Sequence, residues 1–154
     1  MTSPRREWNN TASPASLPAE IFDRGSLRVL PGHDESQPER AGRDRPVFCI
    51  LGAGHGGTAM AAHLSLMGFP VRLYNRSPER IMPIQLQGSI ELIAPDLGDV
   101  PEGFAAVQLA TTDAEEAVTG ADILMVCTPA NAHRFLAERC ARHLTDGQVV
   151  VLNP

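Results

Sequence analysis

The sequence predicts an α/β fold with a doubly wound parallel sheet, and three observations support that prediction. Short apolar runs alternate with helix-forming segments from residue 47 onward. The run at residues 123–127 is apolar throughout, which is typical of a parallel strand buried on both faces. A glycine-rich turn joins the first run to the first helical segment. This alternation indicates parallel strands connected by helices.

The first half of the predicted domain contains two strands and two helices. A strand at residues 47–51 leads through the glycine turn into a helix that ends at Gly68, a residue type favoured at helix ends. The second strand covers residues 71–74. The next helix starts with Ser77 as a capping hydroxyl and Pro78 at its first position. We expect it to end at Gly88, with Pro83 as a place where it breaks or kinks.

The second half is predicted to begin with two strands, at residues 89–93 and 107–110, that pair as a hairpin around the loop 94–103. Residues 112–115, Thr-Asp-Ala-Glu, have the spacing of a capping box and predict a short helix that ends at Gly120. An interior strand at residues 123–127, a helix at 129–143 and a last strand at 148–152 complete the sheet.

Residues 1–45 differ from the rest in composition. They contain five prolines, seven arginines and seven acidic residues, and no apolar period is sustained. This composition predicts a largely disordered N-terminal extension, with a small docking arm as the alternative. The folded domain is therefore predicted to cover residues 46–154.

Charge and composition exclude several classes of protein. A net charge of −5 argues against nucleic acid or an anionic membrane as the main partner. All thirteen basic residues are arginines, so no lysine in this chain can form a Schiff base or serve a P-loop. No run has the length of a membrane span, and the N-terminus lacks a signal-peptide core.

The three cysteines are Cys49, Cys127 and Cys140, an odd number without C-x-x-C spacing. We interpret them as reduced thiols, which favours a cytoplasmic protein. No histidine, cysteine or acidic cluster has the spacing of a metal site, so none is predicted.

The glycine turn is the strongest functional signal. Gly52, Gly54 and Gly57 have the spacing G-x-G-x-x-G between a strand and a helix, which predicts a Rossmann-type dinucleotide site. Gly52 permits the tight turn, Gly54 lets a diphosphate approach the backbone, and Gly57 lets helix and strand pack closely. The first N–H groups of the helix would face the anion. The alternative is a tight turn without a ligand.

The end of the second strand predicts which dinucleotide is bound. An NAD site usually has an acidic residue here for the ribose hydroxyls. This chain has Asn75, Arg76 and Ser77 instead, and a guanidinium suits a ribose 2′-phosphate. We therefore predict NADP(H) in preference to NAD(H). The alternative is that Arg76 is only a solvated arginine at a strand end.

Two further positions are candidates for the cofactor site. Thr128 and Pro129 follow the interior strand and are expected to line the cofactor near its nicotinamide half. The alternative for Thr128 is a helix cap, with Pro129 at the first helical position. Of the five histidines, only His55 lies inside the glycine turn, and no histidine is assigned a catalytic role.

Four segments together resemble the octopine/nopaline (opine) dehydrogenase family. They are residues 50–64 (ILGAGHGGTAMAAHL), 71–76 (VRLYNR), 128–133 (TPANAH) and 146–154 (DGQVVVLNP). The glycine turn is also similar to that of NAD-dependent glycerol-3-phosphate dehydrogenases. The resemblance covers about residues 46–154 and implies an N-terminal NAD(P)-binding domain.

The resemblance implies reductive condensation of an amino acid with a 2-oxo acid, using NAD(P)H. It implies that Gly52, Gly54, His55, Gly56 and Gly57 contact the cofactor diphosphate, and that Asn75 and Arg76 contact the adenosine ribose or its phosphate.

In that family the catalytic histidine and its acidic partner lie in a C-terminal helical domain, to which no residue of this chain corresponds. We therefore assign no catalytic residue, expect the chain to be inactive alone, and expect the small-molecule substrate to bind through the missing domain. The alternatives are a non-catalytic NADP-binding fragment and the cofactor domain of a glycerol-3-phosphate-type dehydrogenase.

Overall fold

The computed structural model describes residues 44–94 and 98–153. Within these two ranges there are seven strands: β1 Phe48–Leu51, β2 Val71–Tyr74, β3 Ser89–Leu92, β4 Gly103–Ala106, β5 Leu109–Thr111, β6 Ile123–Val126 and β7 Val149–Leu152. Four helices accompany them: α1 His55–Leu66, α2 Pro78–Gln87, α3 Ala114–Val118 and α4 His133–Cys140. The predicted N-terminal extension, apart from its last two residues, lies outside the described residues.

The main sheet has five parallel strands in the order β5-β2-β1-β6-β7. The chain moves outward from β1 in one direction to β2 and β5, and then returns to place β6 on the other side of β1. The strand order therefore reverses between β1 and β6, as in a doubly wound sheet. The predicted fold class is confirmed.

Both faces of the central strands are buried. Successive side chains of β1 point to opposite sides of the sheet, and each side has its own core cluster. Cys49 and Leu51 belong to a core cluster with Val118 and Leu136, from the side of α3 and α4. Ile50 belongs to a second cluster on the other side, where α1 and α2 pack. Burial on both faces explains why the strands are short continuous apolar runs.

The predicted hairpin was wrong in its second strand. Residues 89–92 pair with Gly103–Ala106, of which Gly103 was predicted to end the loop and residues 104–106 were assigned to no element. The predicted strand at 107–110 instead gives β5, which joins β2 in parallel through a hydrogen bond from Gln108 N–H to the Val71 carbonyl (2.8 Å) and the pairs that follow. The segment Gly-Phe-Ala-Ala lacks β-branched residues, so its own sequence gave little indication of a strand.

The capping of two helix starts and the effect of one internal proline differ from the prediction. Asp113, and not Thr112, caps α3, since its carboxylate accepts hydrogen bonds from the N–H groups of Glu115 (2.7 Å) and Glu116 (3.4 Å). Ser77 has the cap position of α2, but its hydroxyl makes no capping hydrogen bond. Pro83 lies within α2 and does not end the helix, which continues to Gln87 and is closed by Gly88 at φ 69°.

The long helix predicted for residues 129–143 is divided into three parts. A 3-10 turn, Ala130–Ala132, precedes α4, and a second, Ala141–His143, follows it. Within residues 44–94 and 98–153, no helix combines the length and the apolar character needed to cross a bilayer.

Candidate dinucleotide-binding site

The carboxyl ends of β1, β2 and β6 meet at one edge of the sheet. The strands are in register there, because Leu51 pairs with both Tyr74 and Val126. The residues that follow these three strands are the glycine turn, Asn75 and Cys127. This edge is also where the strand order reverses, which is the usual ligand position in an open parallel sheet.

Two glycines of the turn are required by close backbone packing. Gly52 has φ 120°, and a Cβ there would lie 2.6 Å from both the Cys127 carbonyl oxygen and Thr128 Cγ2. A Cβ on Gly57 would lie 1.8 Å from the Gly52 carbonyl oxygen. Only glycine fits at either position without a shift of the backbone. The predicted roles, a tight turn at Gly52 and close packing of helix and strand at Gly57, agree with this geometry.

The other two glycines face open space. A Cβ on Gly54 or Gly56 would meet no atom within 4 Å. Gly54 is the cap residue of α1 with extended backbone (φ −81°, ψ −178°), so its conformation does not require glycine. Its lack of a side chain leaves room directly over the first turn of the helix, where a diphosphate would need to approach.

The start of α1 has the electrostatic character of an anion site. The first N–H groups of a helix have no acceptor within the helix, and they carry partial positive charge. The first turn of α1 contains no acidic residue that would repel an anion. His55 begins the helix and is exposed, as is Gly56, so both are open to a ligand. The donor set and the open space thus fit the diphosphate of a dinucleotide.

Asn75 braces the glycine turn from the neighbouring strand. Its Oδ1 accepts a hydrogen bond from Ala53 N–H (3.1 Å), and its Nδ2 donates to the Ser77 carbonyl (3.4 Å). Arg80 adds a donor to the Ala53 carbonyl oxygen at 3.4 Å. The Asn75 side chain therefore holds two site segments together. Its predicted contact with the ribose, like that of Ser77, stays a prediction.

Arg76 is exposed, but it is not simply surrounded by solvent. Its guanidinium carbon lies 5.4 Å from the centroid of the Phe135 ring, and that of Arg139 lies 5.6 Å from the same centroid. Arg76, Arg139 and Arg142 line one polar cleft. Phe135 and Arg139 were not predicted to lie here, because no local pattern in the sequence connects α4 with the end of β2.

Thr128 is half-buried beside the glycine turn, and Pro129 is exposed next to it. The alternative role of Thr128 as a helix cap was wrong: the following 3-10 turn has Pro129 at its cap position and no side-chain cap. Among the described residues, the buried Thr128 Oγ1 has no hydrogen-bond partner. His133 Nε2 is 3.0 Å from the Thr128 carbonyl oxygen, and therefore donates to it. His133, for which no role was predicted, therefore holds the backbone at Thr128 in place.

The cysteines near the site are protonated thiols. Burial raises the pKa of Cys49 to about 12, with smaller effects from Cys140 and Arg72. Burial also raises the pKa of Cys127, which a hydrogen bond from Asn153 partly offsets. Among residues 44–94 and 98–153, no group of three or more histidine, cysteine or acidic side chains is placed to hold a metal ion.

A doubly wound parallel sheet with this glycine turn at its switch point defines an NAD(P)-binding Rossmann domain. The sequence profile of the family described as NAD-dependent glycerol-3-phosphate dehydrogenase N-terminus matches residues 47–153. The chain belongs to that family.

Similar proteins confirm the resemblance to opine dehydrogenases. An opine dehydrogenase from Arthrobacter sp. (strain 1C) is 36% identical over 107 residues, which are 70% of this chain and 29% of the relative. A glycerol-3-phosphate dehydrogenase [NAD(P)+] from Halorhodospira halophila (strain DSM 244 / SL1) is 37% identical over 103 residues, 67% of this chain and 29% of the relative.

A solved structure shares the fold. Octopine dehydrogenase in complex with NADH and agmatine has a TM-score of 0.63 at 22% identity, over 71% of this chain and 28% of the other. The chain thus spans less than a third of the length of these relatives. The family membership covers the cofactor domain, and the activity of a whole enzyme is a matter for proposal.

Proposed function

We propose that this chain is the cofactor-binding half of an opine-type dehydrogenase that prefers NADP(H). The observation that carries the proposal is the glycine turn, in which Gly52 and Gly57 are packed against backbone while Gly54 and Gly56 face open space. That arrangement leaves a backbone surface that a diphosphate can reach. When bound, the nicotinamide supplies the hydride for reduction of the imine formed by an amino acid and a 2-oxo acid.

The residues of this chain would bind and orient the cofactor. The first N–H groups of α1, beginning at His55, would hold the diphosphate. Arg76 would hold the ribose 2′-phosphate, supported by the absence of an acidic residue directly after β2. Thr128 Oγ1, which is buried without a partner among the described residues, would donate a hydrogen bond toward the nicotinamide half. No residue of this chain is proposed to transfer a proton to substrate.

The preference for NADP(H) has a direct test. NADPH and NADH are titrated into the purified chain, with the nicotinamide fluorescence as the signal, and the titrations are repeated with Arg76→Ala. We expect tighter binding of NADPH, by about tenfold or more, and loss of that preference in the variant, because charged hydrogen bonds contribute about 1.5–3 kcal/mol. Equal affinities in the wild type would contradict the phosphate assignment, as would a preference for NADH that Arg76→Ala does not change.

Another segment or polypeptide would supply the residues that bind the substrate. Every residue of β7 is exposed, and the relative exposures are 54% for Val149, 49% for Val150, 37% for Val151 and 60% for Leu152. Both faces of this apolar edge strand are thus uncovered, which is unusual for a parallel sheet. Coverage by a further structural unit would remove that exposure and complete a substrate cleft.

We also propose a cytoplasmic location, which the reduced thiols predicted from the sequence favour.

A second candidate is the cofactor half of a glycerol-3-phosphate dehydrogenase, which the family match and the Halorhodospira relative favour. Sequencing downstream of the codon for Pro154 shows whether a helical domain is encoded next to this chain. With that domain supplied, NADPH oxidation by an amino acid and pyruvate supports the opine type, and NADP+ reduction by glycerol 3-phosphate supports the other. A degraded downstream frame favours a non-catalytic NADP-binding fragment. Oxidation of NADPH by this chain alone, with an amino acid and pyruvate, would contradict the proposed division.

A further inference from the structure

The cleft beside Arg76 is lined by residues from three elements. Tyr74 and Arg76 come from the end of β2, Asp113 from the start of α3, and Arg139 from the last part of α4. Arg142 and His143, just after α4, complete the polar wall. The cavity has a volume of about 190 Å³. Pockets for whole ligands usually have about 300–1,000 Å³, so this cleft suits one charged group and not an entire nucleotide.

The charge in the cleft favours an anion. Of the described residues that line it, three carry guanidinium groups and one, Asp113, carries a carboxylate. The Glu115 carboxylate lies 3.9 Å from Nδ1 of the lining His143. The Asp113 carboxylate already accepts hydrogen bonds from two N–H groups of α3, which satisfy part of its hydrogen-bonding capacity. Arg142 Nε donates to His143 Nε2 at 3.0 Å. Among the described residues, no carboxylate forms an ion pair with Arg76 or Arg139.

The Phe135 ring holds two of these guanidinium groups in place. Arg76 and Arg139 lie at 5.4 Å and 5.6 Å from its centroid, within the range of a cation–π interaction. Two like charges on one ring repel each other, and an anion between them would offset that repulsion. The planar fork of N–H donors on each guanidinium matches the oxygen atoms of a phosphate.

We propose that Arg139 is a second specificity residue, which together with Arg76 clamps the 2′-phosphate of NADP(H), and that Phe135 is the positioning residue for both. This inference rests on the proposed function, because Arg76 follows β2 directly, where the adenosine ribose of a dinucleotide lies. It adds α4 to the cofactor site, from which the sequence analysis had predicted no residue.

The test uses 2′,5′-ADP and 5′-AMP, which differ in the 2′-phosphate, in calorimetric titrations of the full chain. The variants are Arg139→Ala, Arg139→Lys, Arg76→Ala and, as the matched control, Arg134→Ala. Arg134 lies on the same helix, is 91% exposed at its side chain, and pairs with Glu138 outside the cleft. Thermal unfolding of each variant checks that the fold is retained.

We expect the wild type and Arg134→Ala to bind 2′,5′-ADP at least about tenfold more tightly than 5′-AMP. Arg76→Ala and Arg139→Ala should each lose most of that difference, without a change in affinity for 5′-AMP. Arg139→Lys should lose part of it, since it keeps the charge but not the planar fork.

The titrations distinguish failure of the Arg139 assignment from failure of the proposed function. If Arg139→Ala matches Arg134→Ala while Arg76→Ala loses the preference, the role of Arg139 is overturned and the proposed function is unaffected. If the wild type binds the two nucleotides equally, the 2′-phosphate assignment fails for both arginines, and NADH binding then decides separately whether the domain holds a nicotinamide cofactor. If inorganic phosphate binds as tightly as 2′,5′-ADP, with the same loss in Arg139→Ala, the cleft is a free-anion site and the cofactor assignment is overturned.

Discussion

The two halves of the candidate cofactor site are built in different ways. The glycine turn is made of backbone, and a Cβ at Gly57 would lie 1.8 Å from a carbonyl oxygen. The cleft beside the end of β2 is made of side chains, and its arginines are exposed. The first region is fixed by the packing of β1, α1 and β6. The second depends on long side chains that Phe135 holds by its ring.

This difference separates two properties of the site. Backbone N–H groups at a helix start can bind the diphosphate of any dinucleotide, so in the proposed site the turn would bind NADPH and NADH alike. Exposed guanidinium groups can be exchanged without disturbing the core, so in the proposed site the cleft would set which dinucleotide is preferred. Changes in the turn should therefore affect NADPH and NADH alike, and changes in the cleft should affect NADPH alone.

The largest effect is expected for Gly57→Ala. The added Cβ overlaps the Gly52 carbonyl oxygen, so the helix must move away from the strand. We expect the free energy of unfolding to fall by about 3 kcal/mol or more. The control Gly56→Ala adds a methyl group that meets nothing within 4 Å, and should change stability by less than about 1 kcal/mol. Urea denaturation of both variants measures the contrast, and equal losses would contradict it.

A second change separates binding from stability. Gly54→Ala has no steric conflict within the protein, but its methyl group enters the space that a diphosphate would occupy. We expect affinity to fall by about tenfold or more for NADPH and for NADH. Thermal unfolding should change little. An effect on only one of the two cofactors would show that the turn does not act through the shared diphosphate.

Burial of Cys49, in the strand that leads into the glycine turn, makes the free energy of unfolding depend on pH. The pKa of Cys49 rises from 9.0 in the unfolded chain to about 12 when folded, because burial penalises the thiolate. Its contribution to stability is complete below pH 9 and is lost as pH rises through that interval, by about 1 kcal/mol per pH unit. Denaturation of the wild type and Cys49→Ala between pH 8 and pH 11, as the chosen range, measures the difference in slope. Parallel slopes would contradict burial of this thiol.

The smallest effect is expected for Asp113→Asn. Asparagine caps a helix about as well as aspartate, so α3 should keep its stability. The variant removes the carboxylate of Asp113 from the lining of the cleft beside Arg76, and NADPH affinity should rise by about two- to threefold, as is typical of a solvent-screened charge. NADH affinity, measured in the same titration series, serves as the control. An equal rise in NADH affinity would show that the Asp113 charge does not act through the 2′-phosphate.

Much of the fold was predictable from the sequence because its signals are local. The apolar runs, the glycine at each turn and the Pro78 helix start are each visible within a few residues. The pairing of β3 was not, since residues 103–106 and 107–110 are both short and weakly apolar. The choice between them depends on contacts with β2 and α1, which are distant in sequence.

The candidate site also has one part that the sequence predicts and one part that it does not. The glycine spacing predicted the turn because the whole G-x-G-x-x-G pattern lies within six consecutive residues, although the atoms that exclude a Cβ at Gly52 belong to Cys127 and Thr128. Phe135 and Arg139 were not predicted, since a half-buried and an exposed position of a short helix give no sign of the strand end that lies beside them. His133 was also missed: its bond to the Thr128 carbonyl depends on the 3-10 turn at Ala130–Ala132, where a continuous helix had been expected.

The most direct measurement is a titration of NADPH into the ¹⁵N-labelled chain, with the backbone amide signals followed by NMR. We expect the largest shifts at His55, Gly56 and Gly57, whose N–H groups would meet the diphosphate, and further shifts at Arg76 and Arg139. NADH should reproduce the first set and not the second. Binding of NADPH that leaves the amides of the glycine turn unchanged would contradict the account.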